Sequence, residues 1–239
     1  AAPRPYFGYD RDTLIGPLAQ PNPRSDLWVP FFREHRLLCM ACAAETEGAL
    51  PARLLARLEK LASRLENYLT EPPHPSLLHG DLWTGNVLVR GSRIAAFVDP
   101  AISCGHPEIE LAFTTMFGTF GPAFFDAYAA LAPLETGFFE MRRDLYNLYP
   151  TLVHVRLFGG AYVGAVERHA HQARVIKKTG PDKPGRSSLR NEPNSGLRLA
   201  PPFCPRAGFR RNSQVPLVSR AFCFLPLLAI RPPSRSPSS

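Results

Sequence analysis

The 239-residue sequence is 45% hydrophobic, enough to bury a sizeable core, and that composition excludes a chain disordered throughout. Its net charge of +8 is confined: from Gln172 onward thirteen Lys/Arg stand against Asp182 and Glu192, which leaves the preceding residues at −3 and gives them no basic nucleic-acid face. No run approaches the ~20 apolar positions of a membrane span, the start AAPRPYFGYD has no charged-then-apolar leader, and five irregularly spaced cysteines fit reduced thiols, so a cytoplasmic location is expected.

Gly8, Gly16, Pro17, Pro21 and Pro23 break any period in the first 25 residues, which read as loop or short extended segments. Ser25 or Asp26 can cap a helix that runs through Leu27, Phe31, Phe32 and His35 to about Ala44. Cys39 and Cys42 read as buried thiols on it, because no second C-x-x-C follows. The clearest helix spans Pro51 to Leu69: proline sits in its first turn, and Leu54, Leu55, Leu58, Leu61, Leu65 and Leu69 recur at steps of three and four. Pro72, Pro73 and Pro75 end it. After HGDLWTGN, Val87 to Val89 and Ile94 to Val98 read as two strands around an Arg90-Gly91-Ser92 turn. The stretch from Pro107 to His169 is expected to be mostly helical, with breaks near residues 118–122 and 133–137. His169 and His171 read as a solvated pair. Eleven of the 26 prolines lie beyond, and residues 170–239 read as a basic, disordered tail in which only Ala221 to Ile230 is apolar.

The chemistry concentrates in His79-Gly80-Asp81-Leu82-Trp83-Thr84-Gly85-Asn86, followed after a hairpin by Asp99. Phosphoryl transfer needs a carboxylate to orient and deprotonate a hydroxyl, and oxygen ligands to hold Mg²⁺ against phosphates. In this pattern Asp81 is the base, and Asn86 and Asp99 are the metal ligands. A lone H-G-D is usually a turn, and an aspartate at a strand end is usually a cap. The specificity lies in the order: H-x-D, Asn five residues on, hairpin, Asp. No Cys/His cluster with zinc spacing competes.

HGDLWTGN, followed by FVDPAISCGHPEIELAFTTMFGTFGPAFFDAYAALAPLETGFFEMRRDLYNLYPTLVHVRLFGGAYVGAV, resembles the fructosamine (ketosamine) kinases, and PYFGYDRDTLIGPLAQPN with WVPFFREHRL is similar to their segment just upstream. The likeness covers roughly residues 5 to 168. It implies an α+β, mostly helical, protein-kinase-like C-terminal lobe over residues 1–169, with a short β-hairpin at its cleft. It also implies ATP and Mg²⁺, and phosphorylation of a sugar hydroxyl on a small-molecule or protein-linked ketosamine. Carried over by position, Asp81 matches the family's catalytic aspartate, and Asn86 and Asp99 match its metal ligands. Trp83 matches a tryptophan beside the sugar; its indole either stacks on the sugar ring or packs in the core. His79 and Glu110 are expected to support the loop. His106 and Glu108 either reach the cleft or are solvated loop residues.

Three departures stand against the family pattern. No glycine-rich loop, strand lysine or partner glutamate of a small nucleotide-binding lobe is found, and the only lysine before the tail, Lys60, lies on an exposed helix face; weak or no turnover is therefore expected. The text after Arg168 resembles no family C-terminus and fits a shifted or read-through frame. Ser103-Cys104 stands where the family tends to place aromatics. Two other functions share parts of the pattern: an aminoglycoside or choline phosphotransferase, which Trp83 disfavours, and a noncatalytic binding fragment. Nucleic-acid binding by the tail is disfavoured by its lack of interleaved aromatics, and no oligomeric state is assigned.

Overall fold

A computed structural model describes residues 5–175. Residues 170–175, expected to open the disordered tail, instead complete a helix that buries Ala170 and Ala173; the expectations for the tail beyond 175 lie outside the described residues. Strands β1 (Thr13–Ile15) and β2 (Leu18–Gln20) form a hairpin whose turn places Gly16 at φ +55°. Period-two alternation turns Ile15 and Gln20 inward and Leu14 and Ala19 outward. The segment before them is also paired: Phe7 bridges Ser25, and Gly8 exchanges backbone hydrogen bonds of 2.9 and 2.7 Å with Cys104.

Helix α1 (Trp28–Phe32), a π-helical turn (Arg33–Leu38) and α2 (Cys39–Thr46) follow without interruption, with Cys39 and Cys42 half-buried thiols on α2. The expected cap is wrong. Neither Ser25 nor Asp26 caps α1; the N–H groups of Trp28 and Val29 donate to the Glu71 carboxylate at 2.5 and 2.9 Å. A remote carboxylate thus satisfies the orphan donors and the positive end of the helix.

Helix α3 (Ala52–Ala62) buries Leu54, Leu58 and Leu61, each worth about 1.5–3 kcal/mol of burial. It ends seven residues short of the expected Leu69. Arg33 Nε donates to the Ala62 carbonyl at 2.9 Å, and Ser63 Oγ donates to Lys60 O at 3.1 Å, so groups outside the helix take its last carbonyls. Leu65 and Leu69 are buried beyond that end.

Strand β3 (Ser76–Leu78) pairs antiparallel with β6 (Ser103–Gly105), placing Leu78 opposite Ser103. Everything from 79 to 102 therefore leaves and returns at one point. Inside that excursion lies the expected hairpin, β4 (Val87–Arg90) and β5 (Arg93–Phe97), largely exposed. The rest is helical with breaks where expected: α4 (Pro107–Met116), α5 (Pro122–Leu131), a π-helical turn (Phe138–Arg142), α6 (Arg143–Phe158) and α7 (Val163–Val175). Gly159, at φ +77°, adds a break between α6 and α7 that the sequence reading omits. His169 on α7 is not part of a solvated pair; its Nδ1 lies 2.7 Å from Asp144 of α6 and ties the two helices together.

The core centres on Trp28, whose ring meets Phe7, Phe31, Phe32 and Tyr146 at centroid distances of 5.7 to 6.2 Å, and whose Nε1 donates to Tyr146 Oη at 3.1 Å. The described part is mostly helical with three two-stranded antiparallel sheets. Among the described residues no helix is long and apolar enough to cross a membrane.

Candidate active site

The β3–β6 pair launches two loops side by side, one carrying Asp81 and the other Asp99. Gly80 makes their approach possible. Its φ is +79°, and a Cβ there would lie 2.2 Å from the Ala101 carbonyl oxygen, so no other residue fits without moving the second loop. Asn86 closes the first loop: its Nδ2 donates to the Asp81 carbonyl at 2.8 Å and to the Asp81 carboxylate at 3.0 Å. Its backbone carbonyl accepts from Val98 N at 3.0 Å, which joins the loop to the residue before Asp99. His79 makes a second tie. Its Nε2 donates to Val98 O at 2.9 Å and its Nδ1 accepts from Asp81 N at 3.3 Å, which fixes a neutral tautomer; burial holds its pKa below the usual histidine value.

Asp99 has a φ of +53° and directly precedes a proline, two conditions that oppose each other for an L-residue. The strain is of order 1–2 kcal/mol. Its carboxylate is exposed beside the loop and carries no ion pair among the described residues. Asp81 is half-buried, and its pKa is raised to about 6, chiefly by burial, with the negative charges of Glu110 and Asp99 adding to the shift and the Asn86 hydrogen bond opposing it. Glu110, in the first turn of α4, accepts from His79 N at 2.5 Å and from Gly80 N at 3.1 and 3.2 Å. Burial raises its pKa, and backbone N–H groups, Leu82 included, pull against that shift.

The remaining sequence candidates separate. Trp83 folds over Gly85, where a Cβ would lie 2.4 Å from the indole, and meets Phe117 edge-on at 6.0 Å. Phe117 contacts His154 at 5.3 Å, and His154 contacts Tyr162 at 5.0 Å, so a half-buried aromatic wall extends from the loop. His106 is instead the N-cap of α4, accepting from Glu108 N at 3.1 Å against Trp28 and Tyr146, and burial pushes its pKa down to about 4. Glu108, only 4% exposed, makes two 2.7 Å hydrogen bonds with Arg142. Neither is hydrogen-bonded to Asp81, Asn86 or Asp99. Sequence reasoning missed His154; the available signal was the pairing of Phe113 with Phe117 and of His154 with Phe158, each four apart on facing helices.

The fructosamine kinase family model matches residues 1–175. The chain belongs to the fructosamine kinase family. Among its relatives, a protein assigned as a ketoamine kinase in Synechocystis is 40% identical over 159 residues, covering 65% of this chain and 52% of that protein. A chloroplastic protein-ribulosamine 3-kinase of Arabidopsis thaliana is 36% identical over 159 residues, 65% of this chain and 47% of the plant protein. The fold is also similar to a crystal structure from Thermobifida fusca assigned as a fructosamine-3-kinase, with TM-score 0.66, 36% identity, and coverage of 72% of this chain and 59% of that one. The chain thus spans about half the length of the curated relatives it matches.

Proposed function

We propose that this chain carries the acceptor- and metal-binding part of an ATP-dependent kinase that phosphorylates a sugar hydroxyl on ketosamines, within a protein-kinase-like C-terminal lobe. The observation that carries this reading is the Asn86 amide: by donating to Asp81 it orients the base, and it leaves Asn86 Oδ1 accepting no hydrogen bond among the described residues. With the Asp99 carboxylate this makes a small set of hard oxygen donors beside the base, the ligand type and number Mg²⁺ takes when phosphates complete its coordination. Among the described residues no group of three His, Cys, Asp or Glu that could hold a metal ion occurs, so the proposed donors are one carboxylate and one amide oxygen that phosphates would complete. Asn86 and Asp99 would hold Mg²⁺, which in this chemistry neutralises charge on the β- and γ-phosphates of ATP.

Asp81, with its pKa near the working range, orients the acceptor hydroxyl and takes its proton. His79 and Glu110 hold the loop backbone. Trp83, continued by Phe117 and His154, offers ring faces to the sugar and its amine-linked substituent. His106 and Glu108, both engaged in the scaffold of α4, have no substrate role in this proposal. The groups that cover ATP phosphates in other kinases are not found among the described residues, so slow turnover is expected from this chain alone.

The test is ³¹P detection of product from Mg·ATP with a panel of fructosyl-amines, aminoglycosides and choline, alongside calorimetry. Phosphate appearing on fructosyl-amines, and falling about 10²- to 10⁴-fold in Asp81→Asn, is the expected result. Phosphorylation of aminoglycosides alone would move the assignment to that class. Silence in both transfer and Mg·ATP binding would make the chain a noncatalytic binding module.

A further inference from the structure

The first 25 residues, which the sequence presents as a loop, carry a buried polar chain that ends on the loop bearing Asp99. Arg36, in the π-helical turn, is 2% exposed and donates Nη2 to Asn22 Oδ1 at 2.6 Å and Nη1 to Pro21 O at 2.7 Å. Asn22 Nδ2 then donates to Thr13 Oγ1 at 2.8 Å, and Thr13 Oγ1 donates to Ile102 O at 3.1 Å. Gln20, 1% exposed, donates Nε2 to Thr13 Oγ1 at 2.9 Å and to Ala101 O at 3.0 Å, while its Oε1 accepts from Tyr149 Oη at 2.6 Å. Every proton in this chain has one possible direction. Arg36 can only donate, the Ala101 and Ile102 carbonyls can only accept, and the amides of Asn22 and Gln20 are therefore fixed in orientation.

The far end of this network is the active-site backbone. Ala101 O, held by Gln20, is the same atom that abuts Gly80, the residue before Asp81. Ala101 and Ile102 also follow Asp99 and Pro100, and the left-handed turn at Asp99 persists only where its surroundings over-determine it. Gln20 thus touches a carbonyl at which the two loops meet.

We propose that Gln20 is a positioning residue for the proposed Mg²⁺ site: braced by Tyr149 and Thr13, its amide sets the Ala101 carbonyl and so the spacing between Asp99 and the Asp81 loop. The metal part of this inference rests on the functional reading above; the positioning part rests on the hydrogen bonds alone. The segment from Thr13 to Asn22 thereby becomes part of the catalytic apparatus without touching a reacting atom.

The experiment uses the full 239-residue chain with three variants. Gln20→Met keeps side-chain length and removes both amide functions. Tyr149→Phe removes only the hydroxyl that braces Gln20, and Leu54→Ala on α3 is a control that loses stability away from the loops. Each is measured by thermal melting, by amide hydrogen exchange of peptides covering 98–104, and by binding of Mn²⁺ as a probe, followed by electron paramagnetic resonance. The expected result is a loss of Mn²⁺ affinity of about 10- to 100-fold in Gln20→Met, the range for a group that orients a metal ligand, with faster exchange at 98–104. Tyr149→Phe should move both readouts the same way by less, and Leu54→Ala should lower the melting temperature without moving either. A folded Gln20→Met whose exchange at 98–104 matches that of wild type or of Leu54→Ala overturns the proposal. Should Gln20→Met fail to fold, Tyr149→Phe decides on the same readouts. Absence of Mn²⁺ binding by the wild type, or binding unchanged in Asp99→Ala, would refute the metal assignment instead, and exchange would still decide the role of Gln20.

Discussion

Replacing Glu110 by glutamine should loosen the Asp81 loop and retune Asp81 at the same time. The Glu110 carboxylate accepts from His79 N at 2.5 Å and from Gly80 N at 3.1 and 3.2 Å. Glutamine keeps the shape but offers one acceptor oxygen, and its NH₂ must face at least one of those donors. Hydrogen bonds to a charged group contribute about 1.5–3 kcal/mol each, and a stranded buried N–H costs about 1–3 kcal/mol. Opposing this, burial already raises the Glu110 pKa, so removing the charge returns some desolvation energy. The balance is a loss of about 2–4 kcal/mol. For a domain of this size that lowers the melting temperature by roughly 4–16 °C. Because the charge on Glu110 helps raise the Asp81 pKa, Glu110→Gln should also bring Asp81 below its value of about 6. Thermal unfolding checks the first effect, and a ¹³C carboxyl NMR titration, assigned with Asp81→Asn, checks the second. A melting temperature within about 2 °C of wild type, together with an unmoved Asp81 titration, would refute the reasoning.

In the chain free of metal, the raised pKa of Asp81 means that it favours folding fully below its ordinary value near 3.8, and that this contribution is lost as pH rises through about 6. Its use as a base with Mg·ATP needs the ionised form, so transfer should rise with pH. A rate that falls as pH rises from about 5 to 7 would count against Asp81 as the base. The Arg142–Glu108 pair is buried and bidentate, and Arg142 also donates to Thr136 O and Glu135 O at 2.8 Å. Glu108→Leu alone should cost about 3–5 kcal/mol by stranding a buried guanidinium, while Glu108→Leu with Arg142→Met should recover much of that loss. Urea unfolding of the full cycle measures it; strict additivity of the two single losses would show that the pair is not coupled.

Local features of the sequence were sufficient for the elements that depend on local physics. The leucine stripe of α3, the β4–β5 hairpin and the breaks near 118–122 and 133–137 follow from periodicity and from glycine and proline, which act over a few residues. The order H-x-D, Asn, hairpin, Asp was legible for the same reason: a short excursion with a fixed register leaves its polar residues few places to go. What the sequence could not supply were contacts between groups far apart in the chain. The cap of α1 comes from Glu71, the end of α3 from Arg33, and the partner of His169 from Asp144; the support of the Asp81 loop by Glu110 was foreseen only through the family resemblance, not from spacing. Gln20, in a stretch that reads only as loop, reaches Ala101 across 81 positions. A buried polar group must find a partner wherever the fold offers one, because leaving it unmet costs more than the hydrogen bond itself returns. That partner is chosen by three-dimensional packing, and no spacing along the chain encodes it.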